Sequence, residues 1–241
     1  MLRRKLNITS LPIAILILLI LFASRVQFLT DTPLHRDEAR SAMRMMGTVE
    51  EIVLWQPPDW PPLHNVLLGG WATLTSDTAF SLRLFSAWFS LLSVCIAYRM
   101  AYQFTKDKRV ALGTLVIYGG LGMGVYLGIF IRGYSMVIAL LPLAIFFIVR
   151  YFESHRWWDV IGLAMTMGVL FLTTYTSGFA FIILGLFTLL LYPKQLWRWL
   201  IIGLMASPFA LYEFFRKQDY WLSRLQSSGG EKNTVYDIGE T

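Results

Sequence analysis

The sequence predicts an all-α protein: a polytopic transmembrane bundle of about seven spans, N-terminus inside and C-terminus outside, with a long first outer loop containing interfacial helices. Three observations carry that prediction. Of the 241 residues, 56% are hydrophobic and 15% charged, more apolar surface than a water-soluble domain can bury, so lipid must solvate a large share of it. Seven stretches, near 8–28, 81–103, 110–131, 134–152, 158–175, 178–193 and 198–215, are long and apolar enough to cross a hydrocarbon core about 30 Å thick. None alternates like a strand over its length, which argues against a β-barrel.

The first span follows the basic start Met1-Leu2-Arg3-Arg4-Lys5. It has no A-x-A-like cleavage site and many spans follow it, so it reads as an uncleaved helix and not as a signal peptide. Between the first and second spans, Pro61 to Thr75 is apolar but short for a crossing. It begins on two prolines, which suits a first helical turn, and places Leu63, Leu67, Trp71 and Leu74 on a shared face. Charge decides its path. If it lies along the membrane, Arg3-Arg4-Lys5, Lys106-Lys108-Arg109, Arg150-His155-Arg156 and Lys194-Arg198 all fall inside, as the positive-inside rule expects. The stretch is therefore predicted to be interfacial or re-entrant. Residues 1–215 then form a membrane core, with an outer loop at about 29–80 and a polar outer tail at 216–241.

The net charge of +6 is spent on these short basic clusters. No basic patch is interleaved with aromatics, so nucleic acid is not an expected partner. Cys95 stands alone in an apolar run, which removes disulfide and Cys-based zinc chemistry. No Walker loop, strand-borne GxGxxG, HExxH or nucleophile elbow is present. The run Gly119-Gly120-Leu121-Gly122-Met123-Gly124 lies within an apolar span and reads as close helix packing.

Chemistry is best sought in the outer loop, whose acidic residues are Asp31, Asp37, Glu38, Glu50, Glu51, Asp59 and Asp77. Thr32 to Arg44 reads as a helix that begins near Pro33 and stops near Gly47. Helical spacing sets Asp37, Arg40 and Arg44 on one side. A carboxylate flanked by arginines stays ionised, and the arginines can bind an anion beside it. The same spacing also describes an ordinary amphipathic surface helix with i,i+3 and i,i+4 ion pairs. His64 can meet a phosphate or a metal, or serve as a plain interfacial polar residue. Arg132, at the outer end of the third span, reads equally as a snorkelling anchor and as an anion clamp. Arg83 is an anchor or a salt-bridge partner, and Thr174, Tyr175 and Thr176 read first as part of an aromatic belt.

The order of these features resembles the GT-C superfamily of integral-membrane glycosyltransferases, in particular the protein O-mannosyltransferase and aminoarabinose transferase branch. Four pieces carry the resemblance over about residues 10–200: Asp37-Glu38 after the first span, the Pro61-Pro62-Leu63 helix start followed by Trp71, Ser81-Leu82-Arg83-Leu84-Phe85-Ser86-Ala87 entering the second span, and Arg132-Gly133-Tyr134 at the end of the third. The resemblance implies a polyprenyl- or dolichyl-phosphate sugar donor, a lipid, glycan or protein acceptor, and membrane lipids as surroundings. It implies an enzyme of the bacterial inner (plasma) membrane with its active site facing outward. Asp37, with Glu38 beside it, maps to the catalytic position, and Arg36, Arg40, His64, Arg132 and Tyr134 are candidates for the donor phosphate. No metal ligands are assigned. A divalent cation is left open, since Phe130 and Ile131 stand where many relatives carry an acidic residue.

Relatives usually continue beyond a seventh span. The chain therefore reads as the N-terminal core module of such an enzyme, whether as a fragment, a truncated frame or a minimal form. The rival reading is a non-catalytic membrane protein: a degenerate relative that binds the lipid phosphate, a scaffold, or a transporter subunit. Span centres nearly free of ionisable residues argue against transport.

Overall fold

His35, Thr48, Thr78 and Asp107 cap the starts of four helices in the computed structural model, which describes residues 10–30, 32–54, 60–154, 156–191, 193, 196–218 and 222. Arg3, Arg4, Lys5, Asp31, Asp59, His155, Lys194 and most of the 216–241 tail lie outside them. All the regular structure among the described residues is helical. Helix α1 covers Ser10–Val26, and α2 (Arg36–Arg44), α3 (Val49–Leu54) and α4 (Leu63–Leu74) fill the following loop. Then come α5 (Ala79–Thr105), α6 (Lys108–Gly120), α7 (Gly122–Ile129), α8 (Tyr134–Ser154), α9 (Trp157–Thr173), α10 (Ser177–Leu191) and α11 (Leu196–Arg216).

Each stretch predicted to span coincides with a helix or, for 110–131, with a helix pair. Two helices, Ala79–Thr105 and Tyr134–Phe152, are long and apolar enough to cross a membrane, and a third crossing results if α6 and α7 count as one. The apolar helices α1, α9 and α10 are shorter, 15 to 17 residues. At 1.5 Å per residue they fall short of a core about 30 Å thick unless adjoining residues extend them. Helix α11 has 21 residues but carries Arg198, Glu213 and Arg216. Large apolar side chains still cover the outer surface, among them Leu16, Ile20, Ile183, Leu190, Leu200 and Leu204, all more than half exposed. A water-soluble monomer does not show such a continuous coat.

Helix α5 is the central post. Thr78 caps its start by accepting from the Ser81 N–H, and Lys106 ends it in the left-handed region (φ +56°). One apolar cluster joins α5 to α1 and α6 through Leu21, Leu91, Val94 and Leu115. A second joins α5 to α2 and α4 through Ala42, Leu68, Leu82 and Phe85. A third, around Ala144, Leu163, Met167 and Ile202, holds α8, α9 and α11 together.

Three expectations change. Helix α2 starts at Arg36, not near Pro33, because His35 takes the N-cap: its side chain accepts from the Asp37 N–H while Glu38 reaches back to the His35 N–H. The shared apolar face of α4 is divided, since Trp71 packs on the buried cluster around Leu68, Leu82 and Phe85. His64, Asn65, Leu68 and Gly69 are buried, whereas Leu67 is 39% and Leu74 84% exposed. The glycine run is a break. Helix α6 ends at Gly120, α7 begins at Gly122, and their axes differ by 61°. Within the run, Gly119 alone is tightly packed, where a Cβ would overlap Leu21, while Gly120 and Gly122 face open space. Buried Arg25 meets the backbone at this break, donating to the Gly119 carbonyl at 3.0 Å and to Ser90 Oγ at 3.0 Å. Such a break at membrane depth needs its freed carbonyls satisfied within the protein.

A buried ion pair ties the start of the loop to the bundle. Arg83 grips Glu38 with two bonds, Nε to Oε1 at 3.0 Å and Nη2 to Oε2 at 2.7 Å. Its remaining N–H groups donate to the carbonyls of Leu29, Thr32 and Pro33. Glu38 also accepts from the backbone N–H of His35 at 2.9 Å and of Ile131 at 3.3 Å. Burial pushes the Glu38 carboxyl up, but these donors outweigh it and hold the group below its ordinary range. Removing one partner from such a pair strands the other charge, at a cost of about 3–5 kcal/mol. Glu38→Gln and Arg83→Met are therefore each expected to lower the unfolding temperature of the detergent-solubilised protein markedly. The double variant should lose less than the sum of the two. An additive loss would show that the pair does not act as a unit.

Candidate active site

The helices run back and forth between two ends of the bundle, and one end gathers α2–α4, the 130–133 turn, the 174–176 turn and the end of α11. There Ser86 Oγ donates to the Phe130 carbonyl at 2.9 Å and Glu38 receives the Ile131 N–H. The short segment between α7 and α8 is thereby fixed, and it carries Arg132. Its guanidinium is held against aromatic faces, 3.5 Å from the Trp60 ring centroid and 6.0 Å from that of Tyr134.

Arg132 lies on a cavity of about 320 Å³ that is also lined by Trp60, His64, Asn65, Tyr134 and Thr173 to Thr176. Gly133 lets its walls close: a Cβ there would sit 3.1 Å from Thr173 Cγ2 and 3.8 Å from His64 Cβ. Arg132 is 8% exposed and His64 4%. Arg132 Nη1 and His64 Nε2 are both buried with no hydrogen-bond partner among the described residues. Two buried, unmatched nitrogens on one wall are costly unless a ligand meets them.

Asp37 is not part of this lining but faces Arg132, which is. Its Oδ2 is 4.0 Å from Arg132 Nη2 and its Oδ1 3.5 Å from Arg40 Nη1. The carboxylate is about one-third exposed and Arg40 about half, so the Asp37–Arg40 contact contributes little to stability. The fold thus brings together Asp37, Arg40, Arg132, His64 and Tyr134. Two candidates are placed elsewhere. Arg36 is exposed and lines a separate cavity on the other side of the 130–134 segment. Glu38 is 2% exposed and fully engaged by Arg83 and two backbone N–H groups, so its observed part is to hold the scaffold.

His64 differs from an ordinary phosphate-binding cation. Its Nδ1 lies 3.0 Å from Asn65 Oδ1. With that oxygen as acceptor, Nδ1 carries the proton and Nε2 the lone pair. Burial, reinforced by the Arg132 charge and opposed by the Asn65 hydrogen bond, pushes the imidazole down to about 4. It is therefore neutral near pH 7. A divalent cation does not fit the donors present. Among the described residues no three His, Cys, Asp or Glu side chains converge, and Asp37 already faces two guanidinium groups.

Sequence reading missed the support on the far wall. Tyr175 Oη donates to Glu213 Oε2 at 2.6 Å, so this residue is tied into the bundle and is no simple belt aromatic. Burial and the Glu213 carboxylate both push the Tyr175 phenol well above its ordinary range. Arg216 pairs with Glu213 at 2.8 Å and donates to the carbonyls of Val53 and Trp60 at 3.1 and 3.3 Å. Glu213 and Arg216 are i,i+3 neighbours, a visible spacing, but nothing local says that the pair meets Tyr175 and Trp60. Trp60 and Asn65 were equally unsignalled.

Residues 59–214 match the family model for dolichyl-phosphate-mannose-protein mannosyltransferase. The chain belongs to this family. No curated protein and no solved structure matches it. Membership makes the chain a glycosyltransferase-family protein of the kind that uses dolichyl-phosphate sugar donors. Together with the apolar coat it identifies an integral membrane protein. The matched segment contains His64, Arg132 and Tyr134, while α2 with Asp37 precedes it.

The His64 environment makes stability depend on pH. Between about 6.5 and about 4 the unfolded chain binds a proton on this residue that the folded chain does not. Stability contributed here is complete above that window and is lost as pH falls through it. Thermal unfolding at both ends of the window should show the drop, and His64→Gln should make the drop smaller. An unchanged pH slope in that variant would place the dependence on other groups.

Proposed function

We propose that this protein transfers a sugar from a polyprenyl- or dolichyl-phosphate carrier to a hydroxyl of a lipid, glycan or protein acceptor. The reaction takes place on the extracytoplasmic face of a membrane, taken to be the bacterial plasma membrane, and residues 1–215 form the working module. The observation that supports this reading is that Asp37 faces Arg132, which lines a cavity where an Arg132 and a His64 nitrogen lack partners.

In this mechanism Asp37 accepts the proton of the acceptor hydroxyl as its oxygen bonds to the anomeric carbon. The bond from that carbon to the phosphate oxygen breaks, and its electron pair leaves on the lipid phosphate. Attack opposite the leaving group inverts the anomeric centre. Negative charge grows on the phosphate as the bond breaks, so fixed donors aimed at it lower the barrier. Arg132 is the main donor, buried and pre-oriented by Trp60 and Tyr134, with Arg40 at the rim. An arriving phosphate raises the His64 pKa, and the protonated ring then donates through Nε2. Arg36, on the other cavity, is left out of the phosphate set, and Glu38 positions the Arg132 segment without touching substrate. What supports an outward face is the positive-inside rule: the short basic turns with Lys106, Lys108, Arg109, Arg150 and Arg156 lie at the far ends of α5 and α8 from the cavity.

Asp37→Asn should lower kcat by about 10²- to 10⁴-fold, the range for a lost general base, while folding and donor binding persist. Arg132→Gln should weaken donor binding by about 10- to 100-fold, as expected for a lost charge-assisted hydrogen bond. Both are measured by transfer of radiolabelled mannose from dolichyl-phosphate-mannose in reconstituted vesicles. Full activity of Asp37→Asn would refute the base assignment. Donor binding without turnover in the wild type would point instead to a non-catalytic lipid-phosphate-binding relative.

A further inference from the structure

Trp60, whose ring lies against the Arg132 guanidinium, belongs to no helix and sits between the end of α3 and the start of α4. Its backbone is held from α11 instead. Arg216 Nη2 donates to the Trp60 carbonyl at 3.3 Å and Nη1 to the Val53 carbonyl at 3.1 Å. Val53 stands in the last turn of α3, where carbonyls have no partner within the helix. The remaining Arg216 donors stay within the protein too. Nε and Nη2 reach Glu213 at 3.2 and 2.8 Å, and Nη2 lies 3.4 Å from Tyr175 Oη. The Arg216 and Glu213 side chains are 9% and 3% exposed, yet neither residue lines the cavities described above.

We infer that Arg216 is a positioning residue for the donor phosphate: by holding the Trp60 backbone, it fixes the indole face against which the Arg132 guanidinium lies. The inference rests on the proposed phosphate-binding role of Arg132 and extends that site to α11. A cation over an indole face is attracted by the ring quadrupole, more strongly away from water. A guanidinium donates in its own plane, so a ring against its face leaves Nη1 for a ligand. Arg216 suits the task because a planar fork meets two carbonyls and a carboxylate at once, whereas an ammonium is a point charge.

Simpler roles fit these residues less well. An aromatic-belt Trp60 would turn its ring to lipid headgroups. Here the ring meets two guanidinium groups, that of Arg132 and, at 4.8 Å, that of Arg44 from the end of α2. An ordinary i,i+3 pair on a helix surface contributes little. Glu213–Arg216 is buried, and its guanidinium reaches backbone on both sides of the α3–α4 connection. The family match ends at residue 214, so Arg216 lies outside it, and the working module then runs past residue 215.

The test is equilibrium binding of radiolabelled dolichyl phosphate to the full chain in nanodiscs, which reads affinity and number of sites separately. Trp60→Leu should raise Kd about five- to thirtyfold, the size of a cation–π contact shielded from water, while Trp60→Phe, which keeps a ring face, should lose less. Arg216→Gln should raise Kd about three- to tenfold, as expected for coupled neighbours. In the Trp60→Leu background it should add nothing, because the ring it positions is gone. A role confined to stability would lower the number of sites and leave Kd alone. Should Arg216→Gln fail to fold, Arg216→Lys, which keeps the charge beside Glu213, should show the same rise. A wild-type Kd in the folded Arg216 variant, or an equal further loss in the Trp60→Leu background, would overturn the inference. Failure of the phosphate site itself would appear separately, as a wild-type Kd in Arg132→Gln.

Discussion

The Glu38–Arg83 ion pair is the constraint on which the rest of this end of the molecule depends. A guanidinium and a carboxylate this deeply buried persist only because nearly every polar atom on them is matched. The pair and its partners come from four places in the chain: the residues after α1, the start of α2, the start of α5 with Arg83, and the turn before α8. Breaking the pair would free all four at once. The cavity rim is therefore held from beneath, and Asp37 and Arg132 face each other because Glu38 and Ile131 are already joined.

A division of labour follows between adjacent acids on α2. Asp37 and Glu38 point about 100° apart around the helix. One turns to the cavity and stays part-exposed beside Arg132; the other turns inward and is consumed by structure. The opposing wall uses the same device with different residues, since Glu213 and Arg216 tie Tyr175 to the carbonyls of Val53 and Trp60. The proposed reaction places growing negative charge between these two fixed walls, where donors need not reorganise as the bond breaks.

Much of the helical layout was legible in the sequence because apolar length and capping are local properties. The limits of legibility are equally physical. Apolar residues on α4 marked a shared face, but Trp71 turned to the bundle while Leu67 and Leu74 stayed exposed. The glycine run signalled close packing, yet only Gly119 packs closely and the run breaks the helix, a choice made by Leu21, Val94 and Arg25 from other elements. His64 was visible as a candidate, but its neutral state depends on burial, Asn65 and Arg132 acting together.

By itself the sequence determined that the chain is helical and needs a lipid environment, and it marked candidate side chains between the first two long apolar stretches and at the end of the third. Composition and periodicity suffice for that, because solvation and helix formation act over a few residues at a time. Only the tertiary structure decided which charges are free to act. Glu38, Arg83, Glu213 and Arg216 look like Asp37 and Arg132 in one dimension. In three dimensions the first four are satisfied by each other and by the backbone, whereas Asp37 stays part-exposed and faces Arg132, which lines a cavity. That difference is set by contacts across tens of residues, which no local pattern encodes.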